Sequence, residues 1–466
     1  MSTDRIERDF LGERPIPAGV YWGVHTARAL ENFPVSGIPV SAHPHLVAAL
    51  GAVKQAAVRA NRDLGLIDAE LALVIDRASQ DVRDGLLDDQ FVVDVVQGGA
   101  GTSTNMNANE VIANRALVLL GLSAGTYDRV NPNDHVNRSQ STNDVYPTAV
   151  KLALLAALDD LAGALGELGA AFAAKAEEFR GITKVGRTQL QDAVPMTVGQ
   201  EFGAWAATLA EEQARILDSR SLLVEVNLGA TAIGTGITTV PGYAAAVVSH
   251  LADLTGLPVV SATDLIEATS DTGSFVQVSG MLKRTAVKVS KICNDLRLLS
   301  SGPQAGLGEL RLPPRQAGSS IMPGKVNPVI PEMVNQVAFS VVGNDITVTM
   351  AAEGGQLQLN AFEPIICHGL LQSIEWMSRA FASLTAHCVT GIEVNREHLV
   401  ATSARSVGVV TALTPYLGYA QAAEIARTAL AGGGDVRDVV LVSGALGADQ
   451  LDELLRPERL TEVGPR

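Results

Sequence analysis

Leu154, Leu158, Leu161, Leu165, Leu168 and Phe172 follow one another at steps of 4, 3, 4, 3 and 4 residues, a period that only an α-helix gathers onto one face. No proline follows Pro147 in this stretch, and the pattern from Asp144 to about Phe179 predicts a single helix, a rod of about 50 Å. Phe275, Val278, Leu282, Thr285, Val289, Ile292, Leu296 and Leu299 repeat the stripe at steps of 3 and 4. Each stripe needs facing helices to remove it from water. Further helical patterns span about 197–225, 329–352 and 362–391, and Thr197 with Gln200 is spaced as a capping box for the first of these.

Five long helices predict an all-α fold built on a central helical bundle. Shorter helices between His45 and Asp89 and from Asn105 to Leu120 predict an N-terminal, mainly helical domain over 1–141. The bundle then takes 142–394. A small C-terminal helical domain follows over 395–466, with helices near 421–430 and 435–441 around the Gly432–Gly434 turn. More than one apolar seam per chain implies that the bundle continues across a subunit interface.

Apolar residues at 47% and charged residues at 18% provide a large core and exclude a disordered chain. The formal net charge of −15 argues against nucleic acid and anionic lipid as partners. Three widely spaced cysteines, with no CxxC pair, fit neither a disulfide framework nor a zinc site. The charged start Met1–Asp9 lacks the apolar core of a signal peptide, and the uncharged run 226–252 is broken by Asn227, Pro241 and several glycines. No membrane span and a cytoplasmic location are expected.

The chemistry has no familiar nucleophile elbow or HExxH metal helix, and the eight histidines form no ligand cluster. Gly318–Lys325 misses the spacing of a nucleotide-binding P-loop, and Gly99–Thr104 misses the last glycine of a dinucleotide fingerprint. Four short polar segments stand out instead: Gly101–Asn105, Gln140–Asp144, Gly186–Pro195 and Gly318–Pro328, each ahead of a predicted helix. Ser, Thr and Asn ahead of a helix are commonly caps. Together, however, the four segments offer hydroxyls, amides and Lys325 with almost no acid, which suits a small dicarboxylate. On these residues alone the reading stops at a helical protein that binds a small anion.

Gly318-Ser-Ser-Ile-Met-Pro-Gly-Lys-Val-Asn-Pro328 resembles the signature loop of the aspartase/fumarase superfamily, and the resemblance extends to Val20–Thr26, Gly98–Asn109, His135–Asp144, Val185–Phe202, Gly355–Asn360 and Glu363-Pro364. It implies a homotetramer around a central bundle, with each active site shared between three subunits. Within the superfamily the residues side with the aspartase branch. Gln189 stands where class II fumarases carry histidine, Thr142 stands in place of serine in Gln-Ser-Thr-Asn, and Asn131 stands where fumarases place a histidine of a second anion site.

The implied reaction is reversible elimination of ammonia from L-aspartate to give fumarate, with hydration of fumarate to malate as the alternative. By resemblance, Ser319 is the catalytic base that removes the Cβ proton as an oxyanion. Thr102, Ser141, Thr142 and Ser320 hold the β-carboxylate, Lys325 and Asn327 the α-carboxylate with Thr188 nearby, and Asn143 and Gln189 recognise the amino group. A small dicarboxylate or amino acid is the expected ligand, and no metal or cofactor is expected.

Overall fold

The computed structural model describes residues 4–432 and 434–462; Gly433, in the middle of the expected glycine turn, lies outside the described residues, as do Met1–Thr3 at the charged start. The fold is all-α. Long helices run over Thr142–Glu178, Val198–Ser219, Gly273–Leu299, Val329–Glu353 and Glu363–His387, and shorter ones over Pro44–Asp63, Ala69–Arg83 and Thr102–Leu119. Among the described residues, strands form only four two-stranded sheets, and no helix is long and apolar enough to cross a membrane.

The 37 residues of the 142–178 helix make a rod of about 55 Å. Its predicted stripe, from Leu154 to Phe172, is fully enclosed, and so is that of the 273–299 helix from Phe275 to Leu299. Burying one such side chain contributes about 1.5–3 kcal/mol, so these two stripes are a principal source of the fold's stability.

The chain divides into two compact units. The first takes residues up to 162 with 215–286 and 339–377; the second takes 163–214, 287–338 and 378 onward. In the first, the 44–63 helix packs against the 69–83 helix and against Tyr243–Thr255. In the second, Phe172, Phe179, Phe202 and Trp205 form a cluster with ring centroids 4.9–5.8 Å apart, mostly edge to face, the arrangement aromatic quadrupoles favour. Thr197 and Gln200 close the expected capping box: Gln200 N donates to Thr197 Oγ1 at 3.0 Å and Thr197 N to Gln200 Oε1 at 2.9 Å. The C-terminal segment has its own apolar core of Val410, Leu413, Ile425, Val436, Val440, Leu451 and neighbours.

Pro147 lies inside the 142–178 helix, beyond its first turn, because the helix begins at Thr142, two residues ahead of the Asp144 start that the sequence pattern predicts. Proline has no N–H to give the carbonyl four residues back, which orphans Asn143 O. The buried Asn227 supplies the missing donor, its Nδ2 lying 3.0 Å from Asn143 O. An unpaired buried carbonyl costs about 1–3 kcal/mol. Asn227→Ala is therefore expected to lower the thermal midpoint by several degrees, measured by circular dichroism, and Asn227→Gln to recover part of that loss.

Candidate active site

In the first unit, the sequence-selected residues Thr102, Ser141, Thr142 and Asn143 meet where two helices start. Gly99, Ala100 and Gly101 take φ values of +89°, +55° and +89° ahead of the 102–119 helix. Gly101 also lies against the Tyr146 ring, which a Cβ would meet at 2.4 Å. This contact draws Thr102 toward the start of the 142–178 helix. Thr102 is exposed and its Oγ1 donates to Gly99 O at 2.6 Å.

Ser141 and Asp144 form a capping box at the second helix start. Ser141 N donates to Asp144 Oδ1 at 2.9 Å, and Asn143 N to Ser141 Oγ at 3.3 Å. The other carboxylate oxygen of Asp144 accepts Gly229 N and Thr231 N, both at 3.0 Å, so one buried acid ties the helix start to the 227–232 loop. Asn143 Nδ2 donates into the same loop, to Ala232 O at 2.7 Å. Thr142 Oγ1 accepts Asn105 Nδ2 at 3.1 Å, which leaves its hydroxyl proton for an incoming acceptor. Burial pushes Asp144 up to about 6, against the pull of its three backbone donors.

The second unit holds the other selected residues. Thr188 and Gln189 stand at the exposed tip of an antiparallel hairpin, Thr183–Thr188 with Gln191–Thr197. The sequence marks 186–195 only as a short polar segment ahead of a helix and carries no sign of these strands. The two turn residues, Gln189 and Leu190, have φ of +54° and +62°, values usually filled by Asn-Gly, so the common hairpin signal was absent. A buried ion cluster fixes the hairpin: Lys184 Nζ lies 2.8 Å from both Glu201 and Glu309, and Arg187 lies 2.5 Å from Glu309.

The 318–328 loop folds on itself. Gly318 N donates to Lys325 O at 2.8 Å and Asn327 Nδ2 to Gly318 O at 3.0 Å. A Cβ at Gly318 would meet Lys325 O at 2.7 Å, so the closure requires glycine there. Ser319 Oγ accepts two backbone N–H groups, from Ile321 at 3.2 Å and Met322 at 2.9 Å, donors that favour a charged oxygen over a neutral one. Ser319 is half-buried, and Ser320 and Lys325 are exposed. A cleft of about 540 Å³ lined by Thr183, Pro195, Arg396, Ser403 and Arg437 contains none of the ten selected residues.

Two further segments of the sequence resemblance have structural roles. Glu110, buried, accepts Gly23 N, His25 N, Thr26 N and Thr26 Oγ1 at 2.7–3.1 Å and so holds Val20–Thr26 in place; burial pushes it up to about 7. Asn131 caps a turn through Asn133 N and Asp134 N. Sequence reading also missed Lys54, Asn105 and Asn137 as partners of the Thr142 cluster.

Over residues 12–343 the chain matches a family model described as Lyase, and over 409–462 one described as Fumarase C C-terminus. It is 56% identical to an aspartate ammonia-lyase of Pseudomonas canavaninivorans, covering 99% of this chain and 97% of the relative. A crystal structure titled fumarate lyase:delta crystallin, from Brucella melitensis and bound to cobalt, superposes with a TM-score of 0.96 at 55% identity, over 99% of this chain and all of that one. The class II fumarase of Schistosoma mansoni superposes with a TM-score of 0.92 at 34% identity, over 97% and 98%.

The clash at Gly101 gives a direct check of the helix-start geometry. Gly101→Ala combines a left-handed backbone with overlap on Tyr146, and overpacking of this kind costs about 1–3 kcal/mol. A drop of several degrees in the thermal midpoint and weaker binding of succinate in calorimetry are expected.

Proposed function

The chain belongs to the aspartase/fumarase lyase superfamily, and from that membership we propose that it is a carbon–nitrogen lyase that eliminates ammonia from L-aspartate to give fumarate, reversibly. The observation that carries this reading is the full-length similarity to aspartate ammonia-lyases. Gln189 and Thr142, which stand at positions that separate the branches, favour the same choice.

In the proposed mechanism, Ser319 as an oxyanion takes the Cβ proton. The electron pair moves into the β-carboxylate, which becomes an enediolate with two negative charges. It then returns to form the double bond as the carbon–nitrogen bond breaks, and ammonia leaves with that bond's electrons. Water stabilises such a dianion poorly, whereas oriented donors at comparable sites contribute about 2.7–4 kcal/mol each. Thr102, Ser141, Thr142 and Ser320 supply hydroxyls for this carboxylate. Lys325 and Asn327 receive the α-carboxylate with Thr188 nearby, and Asn143 and the neutral Gln189 orient the amino group. The two N–H groups on Ser319 Oγ support its role, since they stabilise the charged form of a hydroxyl that is otherwise too weak an acid.

The working form in this proposal is a homotetramer whose active sites combine residues of different subunits. Its support is an uncovered apolar face on the 329–353 helix, where Phe339, Ile346 and Met350 remain 67%, 60% and 69% exposed on one side of the helix. A patch of this kind marks an interface. The exposure of Thr102, Gln189, Ser320 and Lys325 in a single chain agrees with a site completed by neighbours.

The first assay follows fumarate absorbance with L-aspartate as substrate. Fumarate offered with ammonia is expected to return aspartate; malate formed from fumarate and water alone would favour the hydratase instead. Ser319→Ala is expected to keep its oligomeric state on size exclusion and to lose several orders of magnitude in kcat, and near-normal turnover refutes the base assignment. Lys325→Ala is expected mainly to raise KM, and an unchanged KM with unchanged kcat removes it from the site.

A further inference from the structure

One fully buried charge has no task in the proposed mechanism. Lys54, in the Pro44–Asp63 helix, is 0% exposed, and a buried ammonium persists only where its surroundings are built for it. Among the described residues it forms no direct ion pair. Its Nζ donates to two neutral amides instead, Asn137 Oδ1 and Gln140 Oε1, both at 3.0 Å.

An ammonium has donors and no acceptor, so it dictates which end of each amide faces it. With its oxygen held by Lys54, Gln140 turns its Nε2 to Val136 O and Arg138 O at 2.9 and 3.1 Å. Asn137 Oδ1 also accepts Asn105 Nδ2 and Asn109 Nδ2 at 3.2 and 3.1 Å. Asn105 Nδ2 then donates to Thr142 Oγ1 as well, at 3.1 Å. The chain of donors ends at a hydroxyl with one lone pair engaged, which leaves its proton free for an acceptor.

We propose that Lys54 is a positioning residue that sets the hydrogen-bond polarity of the carboxylate cradle, acting through Asn137 and Asn105 on Thr142. The inference rests on the reading of Thr142 as a carboxylate ligand. Linked donors strengthen one another in a low dielectric, so the effect grows as negative charge develops on the substrate. Asp144, on the 142–178 helix, is the ionisable group that acts on Lys54. Asp76 and His250, on the two helices packed alongside, are engaged by Arg59 and Asp63. Burial pushes Lys54 down to about 7, partly offset by Asp144. The unfolded chain therefore binds more protons than the folded one above that value. The cost of enclosing the charge is full at lower pH and is relieved as pH rises.

The test compares wild type with Lys54→Met and Gln140→Glu, following kcat and KM for L-aspartate against pH, the inhibition constant of succinate, and the thermal midpoint. Lys54→Met removes a charge that is costly to bury, so its midpoint is expected within a few degrees of wild type. Its kcat is expected to fall about 100-fold and its succinate affinity less than about tenfold, the pattern of an interaction that matters most in the transition state. It is also expected to lose the alkaline limb of kcat/KM that marks deprotonation of Lys54. Gln140→Glu gives the ammonium a carboxylate partner and is expected to move that limb upward. Should the Met variant not fold, the Gln140→Glu profile decides. A Lys54→Met enzyme within about threefold of wild type, or a Gln140→Glu limb that stays in place, overturns the proposal. A wild type that makes no fumarate from aspartate overturns the lyase reading instead, a separate result.

Discussion

The first unit's part of the candidate site depends on one buried carboxylate. Asp144 accepts backbone N–H groups from Ser141, Gly229 and Thr231, so it starts the long helix and fastens the 227–232 loop to it. Buried backbone donors need partners, and here one side chain serves three of them across a long sequence separation. Asn227 adds a second tie by accommodating the proline inside that helix. The rod's enclosed stripe fixes the direction of the helix, and these ties fix where its polar end stops.

The helices were legible because their signal is periodic and strong. The stripes from Leu154 to Phe172 and from Phe275 to Leu299 repeat without interruption, and burial follows them residue by residue. The Thr197/Gln200 capping box was equally readable, since it needs only local spacing. The hairpin was not, because Gln189-Leu190 fills a turn whose usual glycine or asparagine is missing, and its strands are held by ion pairs to distant Glu201 and Glu309.

Candidate residues were legible only as segments. Local composition marks Gly318–Pro328 and Gln140–Asp144 as polar and unusual, but the roles given to Ser319 and Thr142 came from the superfamily resemblance. Lys54 is an instructive miss. It lies in register with Val47, Leu50, Val58 and Asn61 on the buried side of its helix, a charge on an apolar face, and that mismatch was a readable sign of a polar interior. Backbone conformation adds another. Among the described residues, five of the seven non-glycine residues with positive φ, Ala100, Ser139, Gln189, Leu190 and Leu357, fall in the segments shared with the superfamily, and Thr231 and Thr238 do not; such strain is tolerated where neighbouring contacts enforce it.

In the proposed lyase, the internal fastening of the 318–328 loop would bear on the thermodynamics of capture. Because Gly318 already bonds to both Lys325 and Asn327, the segment is a stiff panel whose shape exists before any guest arrives. Ordering a floppy strap drains affinity through lost chain freedom. A panel stiffened in advance surrenders little at that moment, so more of the intrinsic attraction remains to grip the guest.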